Sequence, residues 1–329
     1  MKSKFNFTNL NFASILFICF IFVACGSPKK DKETKEAVTE EVAKPETPFF
    51  KLSLAQWSLH KAVFDGSHDP IDFAQKANEL GFEGIEYVSQ LYKKHIAEIG
   101  MDSLVAILNA KSKEFNISNV LIMIDGEGSL ASTNEEERNK TVENHYKWVD
   151  AAKALGCHSI RVNAHGEGTA EEVADGAVKG LTKLSEYAAE KGINIIVENH
   201  GGYTSNGAWL ANVMKTVNMP NCGTLPDFGN FCQTKGYGSI NSEKCDDPYD
   251  VYLGVEELMP YAKAVSAKSY DFDENGDQPK LDYIRILQIV KDAGYSGFIG
   301  VEYEGDNLSE IDGINATKAL LLKAAKAIK

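Results

Sequence analysis

The chain has 329 residues and a formal net charge of −13, because 47 aspartates and glutamates outnumber 34 lysines and arginines. An acidic surface argues against nucleic acid as a partner, since phosphate backbones are bound by basic patches. Arginine is scarce, occurring only at Arg138, Arg161 and Arg285. This scarcity disfavours a phosphorylated substrate, because bidentate phosphate contacts favour arginine.

The N-terminus has the order of a secretory signal. Lys2 and Lys4 precede an apolar run from Ile15 to Ala24, which is well short of the ~20 residues of a membrane-spanning helix. Cys25 follows this run in a context that resembles a bacterial lipobox, which implies lipidation of Cys25 as the first mature residue. We therefore predict a signal peptide over residues 1–24 and a protein held at a bacterial membrane through its lipid anchor only, in the periplasm or at the cell surface. The alternative is an ordinary signal peptide in which Cys25 has no such role.

Residues 25–48 are predicted to be a disordered tether. They are rich in Lys, Glu, Thr and Pro and almost free of large apolar residues, so they cannot bury enough surface to offset the entropy of ordering. Residues 49–329 are then predicted to form a single catalytic domain, at a length common for a β/α barrel.

Four cysteines lie in this domain: Cys157, Cys222, Cys232 and Cys245. An oxidising compartment permits a disulfide among the last three. Cys232 and Cys245 flank one long loop and are the favoured pair, and four free thiols are the alternative. The chain has no CxxC motif or Cys/His cluster that would indicate structural zinc.

Eight short runs rich in Ile and Val predict eight β-strands, with helical patterns between them. The predicted strands are Leu52–Gln56, Gly84–Tyr87, Asn119–Ile124, Ser159–Asn163, Ile193–Glu198, Gly223–Asp227, Ala264–Lys268 and Phe298–Glu302. Eight strand–helix alternations predict parallel strands in an α/β protein, and a (β/α)8 TIM barrel is their natural arrangement. An open doubly wound sheet is the alternative, but no Gly-rich nucleotide-binding fingerprint follows the first strand.

Glycines and polar residues mark the ends of the predicted helices. Each of four glycines follows a helical pattern, where a left-handed conformation is common: Gly81, Gly156, Gly192 and Gly294. Helix starts are predicted at Asp69, which precedes a proline, and at Thr169, which opens a capping-box sequence.

Three acidic side chains follow nearly continuous apolar strands at equivalent positions. Glu198 ends the fifth predicted strand, Asp227 the sixth and Glu302 the eighth. Because such a barrel gathers its functional groups at the C-terminal ends of its strands, we expect the three to converge on one mouth. Buried like charges repel unless a cation neutralises them, and oxygen ligands suit Mn2+ or Mg2+. The sequence therefore predicts a divalent-metal site, with helix capping or a lysine partner as the alternative role for each carboxylate.

Five further side chains are candidate substrate contacts because each lies at or just beyond the end of a predicted strand. They are Trp57 after the first strand, Glu86 at the second, His165 at the fourth, Asn230 after the sixth and Lys268 at the seventh.

The strand ends resemble those of the xylose-isomerase-like TIM-barrel superfamily, which contains sugar phosphate isomerases and epimerases, and the similarity runs from about residue 52 to the C-terminus. In that superfamily a Glu after the fifth strand, an Asp after the sixth, a His after the seventh and a Glu after the eighth bind the metal. The two glutamates also move protons on opposite faces of the substrate. Glu198, Asp227 and Glu302 match three of these four positions. The resemblance thus implies catalytic roles for Glu198 and Glu302.

The seventh strand departs from this pattern, because Ser266 stands where the superfamily has its histidine. The fourth ligand is then expected to be water or a nearby side chain such as His200. His200 lies two residues beyond Glu198, so the two share a face if the extended conformation continues. In keto-sugar lyases and hydratases that resemble this superfamily, a Glu-x-His pair supplies a ligand and a general base. This makes His200 a candidate base for the proton α to a carbonyl.

Lys268 has two interpretations. The resemblance implies that it contacts substrate oxygens. The alternative is a Schiff-base nucleophile, which nearby carboxylates disfavour because they keep the lysine charged.

The expected function is a divalent-metal-dependent, isomerase- or epimerase-like enzyme that transfers protons next to a carbonyl of an unphosphorylated sugar or keto-sugar. Elimination from, or hydration of, a 3-keto-glycoside is a variant of the same chemistry. One alternative is a non-catalytic sugar-binding lipoprotein with a degenerate barrel site, which Ser266 suggests. The other is a Schiff-base lyase that uses Lys268. A metal-dependent endonuclease of the related barrel type is disfavoured by the acidic composition.

Overall fold

The computed structural model of the protein describes residues 47–234, 237–241 and 245–328. The predicted signal peptide, the lipidation site Cys25 and the tether up to residue 46 lie outside these residues. Within the described ranges, no helix combines the length and the apolar character needed to cross a bilayer.

Eight parallel strands form the centre of the domain. They are β1 Lys51–Ala55, β2 Gly84–Val88, β3 Ser118–Met123, β4 Ser159–Val162, β5 Asn194–Glu198, β6 Cys222–Leu225, β7 Val265–Ser269 and β8 Phe298–Tyr303. Each agrees with its predicted counterpart to within two residues at either end. The strands are buried along most of their length, as expected for parallel strands covered by helices.

The order of the strands is that of a barrel. Neighbours run β6-β5-β4-β3-β2-β1-β8-β7, so the first and last strands of the chain are adjacent and the order is circular. Between β6 and β7 the connection consists of two parallel bridges, Thr224 with Ala262 and Asp227 with Ser266. The predicted (β/α)8 barrel is confirmed, and the open doubly wound sheet is wrong.

The described residues include ten α-helices, which follow the strands and surround the barrel. They are α1 His60–Phe64, α2 Phe73–Glu79, α3 Lys93–Ile99, α4 Met101–Glu114, α5 Glu135–Leu155, α6 Ala170–Lys191, α7 Gly207–Val217, α8 Val251–Leu258, α9 Tyr283–Asp292 and α10 Glu310–Ala327. In α6 the buried residues include Val173, Ala177, Leu181, Leu184 and Ala188. They recur every three or four positions and form the apolar face that packs on the barrel. Each such leucine contributes about 1.5–3 kcal/mol by burial.

The helix ends match the local sequence signals. Four glycines follow helices at φ values of 71°, 76°, 72° and 77°, in the left-handed region: Gly81, Gly156, Gly192 and Gly294. Thr169 caps α6 through a capping box with Glu172, and the Asp69 carboxylate accepts a hydrogen bond from the Ile71 amide.

The disulfide prediction is also confirmed. Cys232 and Cys245 are bonded to each other, and Cys157 and Cys222 are buried free thiols. The disulfide lies in the segment that follows β6, on the same end of the barrel as the predicted site.

Candidate metal centre and active site

Three carboxylates converge at the C-terminal end of the barrel. Glu198 is the last residue of β5, Glu302 lies near the end of β8, and Asp227 follows β6 by two residues. One oxygen from each lies within 4.8 Å of the others, and the side chains are almost completely buried. The described residues therefore place three oxygen donors around one point, as the sequence predicted.

Ser266 and Lys268 project from β7 into this carboxylate cluster. Ser266 Oγ donates a hydrogen bond of 2.6 Å to Asp227 Oδ2 and lies 3.1 Å from Glu302 Oε2. Lys268 Nζ is 3.7 Å from Glu302 Oε1 and 4.0 Å from Asp227 Oδ2. It is also 3.3 Å from Glu304 Oε1 and donates to Asn230 Oδ1 at 3.3 Å. Ser266, at the position where the superfamily has histidine, thus contacts two of the three carboxylates through its hydroxyl group.

A second cation, Arg161 of β4, approaches the cluster from the other side. Its Nη1 donates to Asp125 Oδ1 at 2.9 Å, and its Nε lies 2.9 Å from Glu198 Oε2 without the angle of a hydrogen bond. Both guanidinium contacts are buried or nearly so. Breaking such a buried pair costs about 3–5 kcal/mol, because it leaves a charge without its partner. Arg161 therefore fixes the inner wall of the site.

The charges in the mouth are only partly balanced. Lys268 faces Asp227, Glu302 and Glu304, and Arg161 faces Glu198 and Asp125, so these five carboxylic groups share two cations. With all five ionised, three negative charges remain, and a divalent cation, which prefers carboxylate oxygens as ligands, would reduce this excess to one.

Burial dominates the protonation of the metal-free cluster. It raises the pKa of Asp227 from 3.8 to about 7, although Lys268 opposes the shift. Burial also raises the pKa of Glu302 well above its usual range. By itself burial lowers the pKa of Lys268, but the surrounding carboxylates more than offset this and hold the pKa well above its usual value. Lys268 is consequently a fixed positive charge.

His200 is held in one orientation by a chain of hydrogen bonds. Asn163 Nδ2 donates to Asp125 Oδ1 at 2.7 Å, so Asn163 Oδ1 faces His200 Nδ1 at 2.8 Å. From this network we assign the ring proton to Nδ1, which leaves the lone pair on Nε2. Burial, followed by the nearby Arg161 and Lys268, holds the pKa of His200 well below its usual value. The imidazole is therefore neutral near pH 7 and presents an acceptor.

Three other predicted substrate contacts, Asn230, His165 and Trp57, lie at different distances from the carboxylate cluster. Asn230 donates from Nδ2 to Glu198 Oε1 at 3.0 Å and contacts Lys268, so it belongs to the cluster. The rings of His165 and His200 have centroids 6.0 Å apart, which puts His165 beside the site. Trp57 follows β1 and is half-buried against His60, with ring centroids 4.4 Å apart.

Glu86, another predicted substrate contact, is held by a serine of β1. It is fully buried inside the barrel, where Oε1 accepts a hydrogen bond of 2.6 Å from Ser53. Burial raises the pKa of its carboxyl from 4.5 to about 7. Its carboxylate lies against Gly300, where a Cβ atom would be 2.5 Å from Glu86 Oε1. The charges of Glu198 and Arg161 also act on the pKa of Glu86, so its carboxyl lies within electrostatic reach of the cluster. A substrate contact for Glu86 stays a prediction.

Sequence reasoning did not select three residues that shape this site. Arg161 is a lone charge within an apolar strand, a pattern that signals an inward contact. Asn163 follows the same strand and orients His200. Tyr237, in the segment after β6, lies with its ring centroid 5.1 Å from that of His200, and nothing in its local sequence marks it.

Several known proteins resemble the chain in part of its sequence or in its fold. Over 65 residues the chain is 40% identical to a C-glycoside deglycosidase alpha subunit from Arthrobacter globiformis, which is 19% of this chain and 18% of that protein. The match therefore spans less than a fifth of the curated relative. A 3-keto-D-glucoside 4-epimerase from E. coli has a TM-score of 0.61 at 13% identity, covering 78% of this chain and 95% of that one. A xylose isomerase-like TIM barrel protein from Mycobacterium smegmatis, in complex with magnesium, has a TM-score of 0.62 at 15% identity, covering 86% and 100%.

The family profile described as xylose isomerase-like TIM barrel matches residues 74–326, which is most of the chain. Its span covers β2 to β8 and includes every residue of the carboxylate cluster. The protein belongs to the xylose isomerase-like TIM barrel family.

Proposed function

We propose that the protein is a divalent-metal-dependent enzyme that transfers a proton next to the carbonyl of an unphosphorylated keto-sugar, with a 3-keto-glycoside as the substrate class. The observation that carries the proposal is the convergence of Glu198, Asp227 and Glu302 within 4.8 Å at the barrel mouth. A deglycosidase relative and a 3-keto-glucoside epimerase of the same fold support the substrate class.

The residues present fit a divalent cation. Glu198, Asp227 and Glu302 offer three hard oxygen donors, which suit Mg2+ or Mn2+. His200 is not among the residues whose donor atoms all lie within 4.8 Å of one another, so we assign it to proton transfer and water to the remaining ligand positions. A bound ion would supply electrostatic stabilisation of the negative oxygen that develops when the proton leaves.

His200 is the proposed base. Its neutral Nε2 accepts the proton from the carbon next to the keto group, and the chain through Asn163 to Asp125 keeps the ring from rotating. Lys268 carries a permanent charge and donates to a substrate oxygen.

Glu302 is the proposed acid. Burial raises the pKa of this carboxyl in the chain without metal, and a bound cation would offset that shift. Glu302 would therefore pass a proton to the substrate through the carboxylate oxygen that is not needed as a ligand. Delivery to the same carbon from the opposite face inverts that centre, which is epimerisation. Delivery to a departing oxygen while the C–O bond breaks gives elimination. In both outcomes the base gains one proton and the acid gives one, so charge and atoms balance.

Solvent exchange tests the proposal directly. The protein is loaded with Mg2+ or Mn2+ and incubated in deuterated water with methyl 3-keto-β-D-glucopyranoside, and deuterium entry next to the keto group is followed by NMR. We expect exchange or elimination in the wild type, and loss of turnover after chelation or in Glu302→Gln. Glu79→Gln is the matched control, since Glu79 is an exposed residue of α2 that pairs with Lys76. If Glu302→Gln keeps both its metal and its turnover, the proposed chemistry is wrong.

The same samples separate the alternatives. Saturable binding in calorimetry without exchange or product would identify a sugar-binding barrel. Trapping of Lys268 by borohydride in the presence of substrate, with turnover indifferent to chelator, would identify a Schiff-base lyase. The charged state of Lys268 argues against that second outcome, because a Schiff base forms from the neutral amine.

We also propose that the protein is lipid-anchored through Cys25 outside the cytoplasm. The Cys232–Cys245 disulfide supports this location, because disulfides persist in oxidising compartments. Incorporation of labelled palmitate that disappears in Cys25→Ser would agree with the proposal. Incorporation that persists in this variant would contradict it.

A further inference from the structure

The segment after β6 folds back onto the barrel mouth and is tied down at several points. Cys232 is bonded to Cys245, and its backbone N–H donates to the Gly238 carbonyl at 2.8 Å. Ser239 Oγ donates to the Tyr270 hydroxyl at 2.9 Å. These contacts anchor Cys232, Cys245 and the described stretch 237–241.

Gly238 sets how closely this segment approaches the site. It has φ of +81°, and a Cβ atom there would lie 2.5 Å from the backbone nitrogen of Gly201 and 2.7 Å from Ser205 Oγ. Gly201 directly follows His200. Only a glycine lets the segment lie against the turn that carries the proposed base.

Tyr237 is consequently placed beside His200. The two ring centroids are 5.1 Å apart, with an angle of 35° between the ring planes. Tyr237 is nevertheless 74% exposed, the largest exposed fraction among the large apolar side chains of the described residues. A large ring that lies against His200 and is otherwise open to solvent offers an apolar face to a ligand.

We propose that Tyr237 forms a second subsite, which binds the ring of a leaving group, an aromatic aglycone or a second sugar, on a substrate whose keto-sugar ring lies at the carboxylate cluster. This subsite rests on the proposed function of the cluster. The direction in which a bound substrate would extend follows from the burial of these groups: the cluster is buried, His200 is half-buried and Tyr237 is exposed. A substrate that extends from the cluster past His200 meets Tyr237 next.

The disulfide makes this subsite preorganised. A free loop must lose conformational entropy when a ligand orders it, whereas the closed Cys232–Cys245 loop has lost part of that entropy on folding. Opening the disulfide therefore weakens binding of the outer ring and leaves the inner sugar site, which the strands hold, intact.

The test compares two substrates that differ only in the leaving group. Methyl 3-keto-β-D-glucopyranoside carries no outer ring, and 4-nitrophenyl 3-keto-β-D-glucopyranoside carries one. In the wild type we expect the KM of the nitrophenyl glycoside to be about three- to tenfold lower, the range of an aromatic stacking contact. Tyr237→Ala should remove this difference by raising the KM of the nitrophenyl glycoside only. Tyr237→Phe, which keeps the ring, should keep the difference.

Tyr146→Ala is the matched control, because Tyr146 stacks on Tyr187 on the outer helices. The paired change Cys232→Ser with Cys245→Ser should reduce the difference between the two substrates, with the KM of the methyl glycoside unchanged. Equal KM values for both glycosides in the wild type, or a difference that survives in Tyr237→Ala, would overturn the subsite.

The outcome for the subsite is separable from that for the proposed function. Calorimetry measures the affinity for each of the two glycosides, and so tests the subsite even where no product forms. Tighter binding of the nitrophenyl glycoside without turnover would support the Tyr237 subsite and contradict the proposed proton transfer. Turnover of both glycosides with equal affinity would support the proton transfer and contradict the subsite. If neither glycoside binds, both proposals are contradicted.

Discussion

Replacing Asp227 by asparagine should change how the folding stability of the metal-free protein depends on pH. Burial raises the pKa of Asp227 from 3.8 to about 7, so between these pH values the folded chain holds a proton that the unfolded chain has released. Stability therefore falls as the pH rises through this window. About three pKa units correspond to ~4 kcal/mol, of which ~3 kcal/mol develops between pH 5 and pH 8.

Urea unfolding in the presence of a chelator measures this effect. Between pH 5 and pH 8 the wild type should lose ~3 kcal/mol more unfolding free energy than Asp227→Asn. Contributions from groups on which Asp227 does not act, such as Glu86, occur in both proteins and cancel. Asp227 itself acts on the pKa values of Lys268 and Glu302, so the difference between the two proteins reports Asp227 together with these neighbours. Added Mg2+ or Mn2+ should shrink the extra loss in the wild type, because the cation binds the ionised carboxylates of the folded chain. An equal loss in both proteins without metal would refute the assigned burial penalty.

Three further changes test contacts around the cluster. Ser266→His adds an imidazole beside the carboxylates, and calorimetry should show Mn2+ affinity raised about tenfold or more; Ser266→Ala, which adds no ligand, should not reproduce the gain. Arg161→Met leaves the buried Glu198 and the half-buried Asp125 without their cation, so urea unfolding should show a loss of ~3–5 kcal/mol, and a loss below ~1 kcal/mol would contradict the role assigned to the guanidinium. Asn163→Ala frees the ring of His200, so kcat should fall about 10- to 100-fold with metal content unchanged; a kcat equal to that of the wild type would exclude this positioning role.

Local sequence signals were sufficient to predict the barrel. Strand and helix periods, the glycines after helices and the Thr169 capping box all act over a few residues, and the structure confirms each of them. The convergence of Glu198, Asp227 and Glu302 followed from the same logic, because parallel strands of a barrel bring their C-terminal ends to one mouth.

Contacts between distant segments could not be predicted in this way. Glu86 was selected because it lies near a strand end, and only the fold reveals that its carboxylate is fully buried and bonded to Ser53. Arg161 contacts one carboxylate from β5 and one from the loop after β3, which only the packed barrel reveals. The placement of Tyr237 depends on backbone contacts between Gly238 and Gly201, and these contacts have no signature in either local sequence.

The close approach of Glu86 to Gly300 joins two positions on different strands into one steric unit. The carboxylate occupies the volume that any side chain at residue 300 would need. Enlarging residue 300 alone must displace the acid, and shortening residue 86 alone leaves a void in the barrel interior. Substitutions at the two positions should therefore compensate each other in a double-mutant cycle, and an engineered core that alters one of them has to redesign the other at the same time.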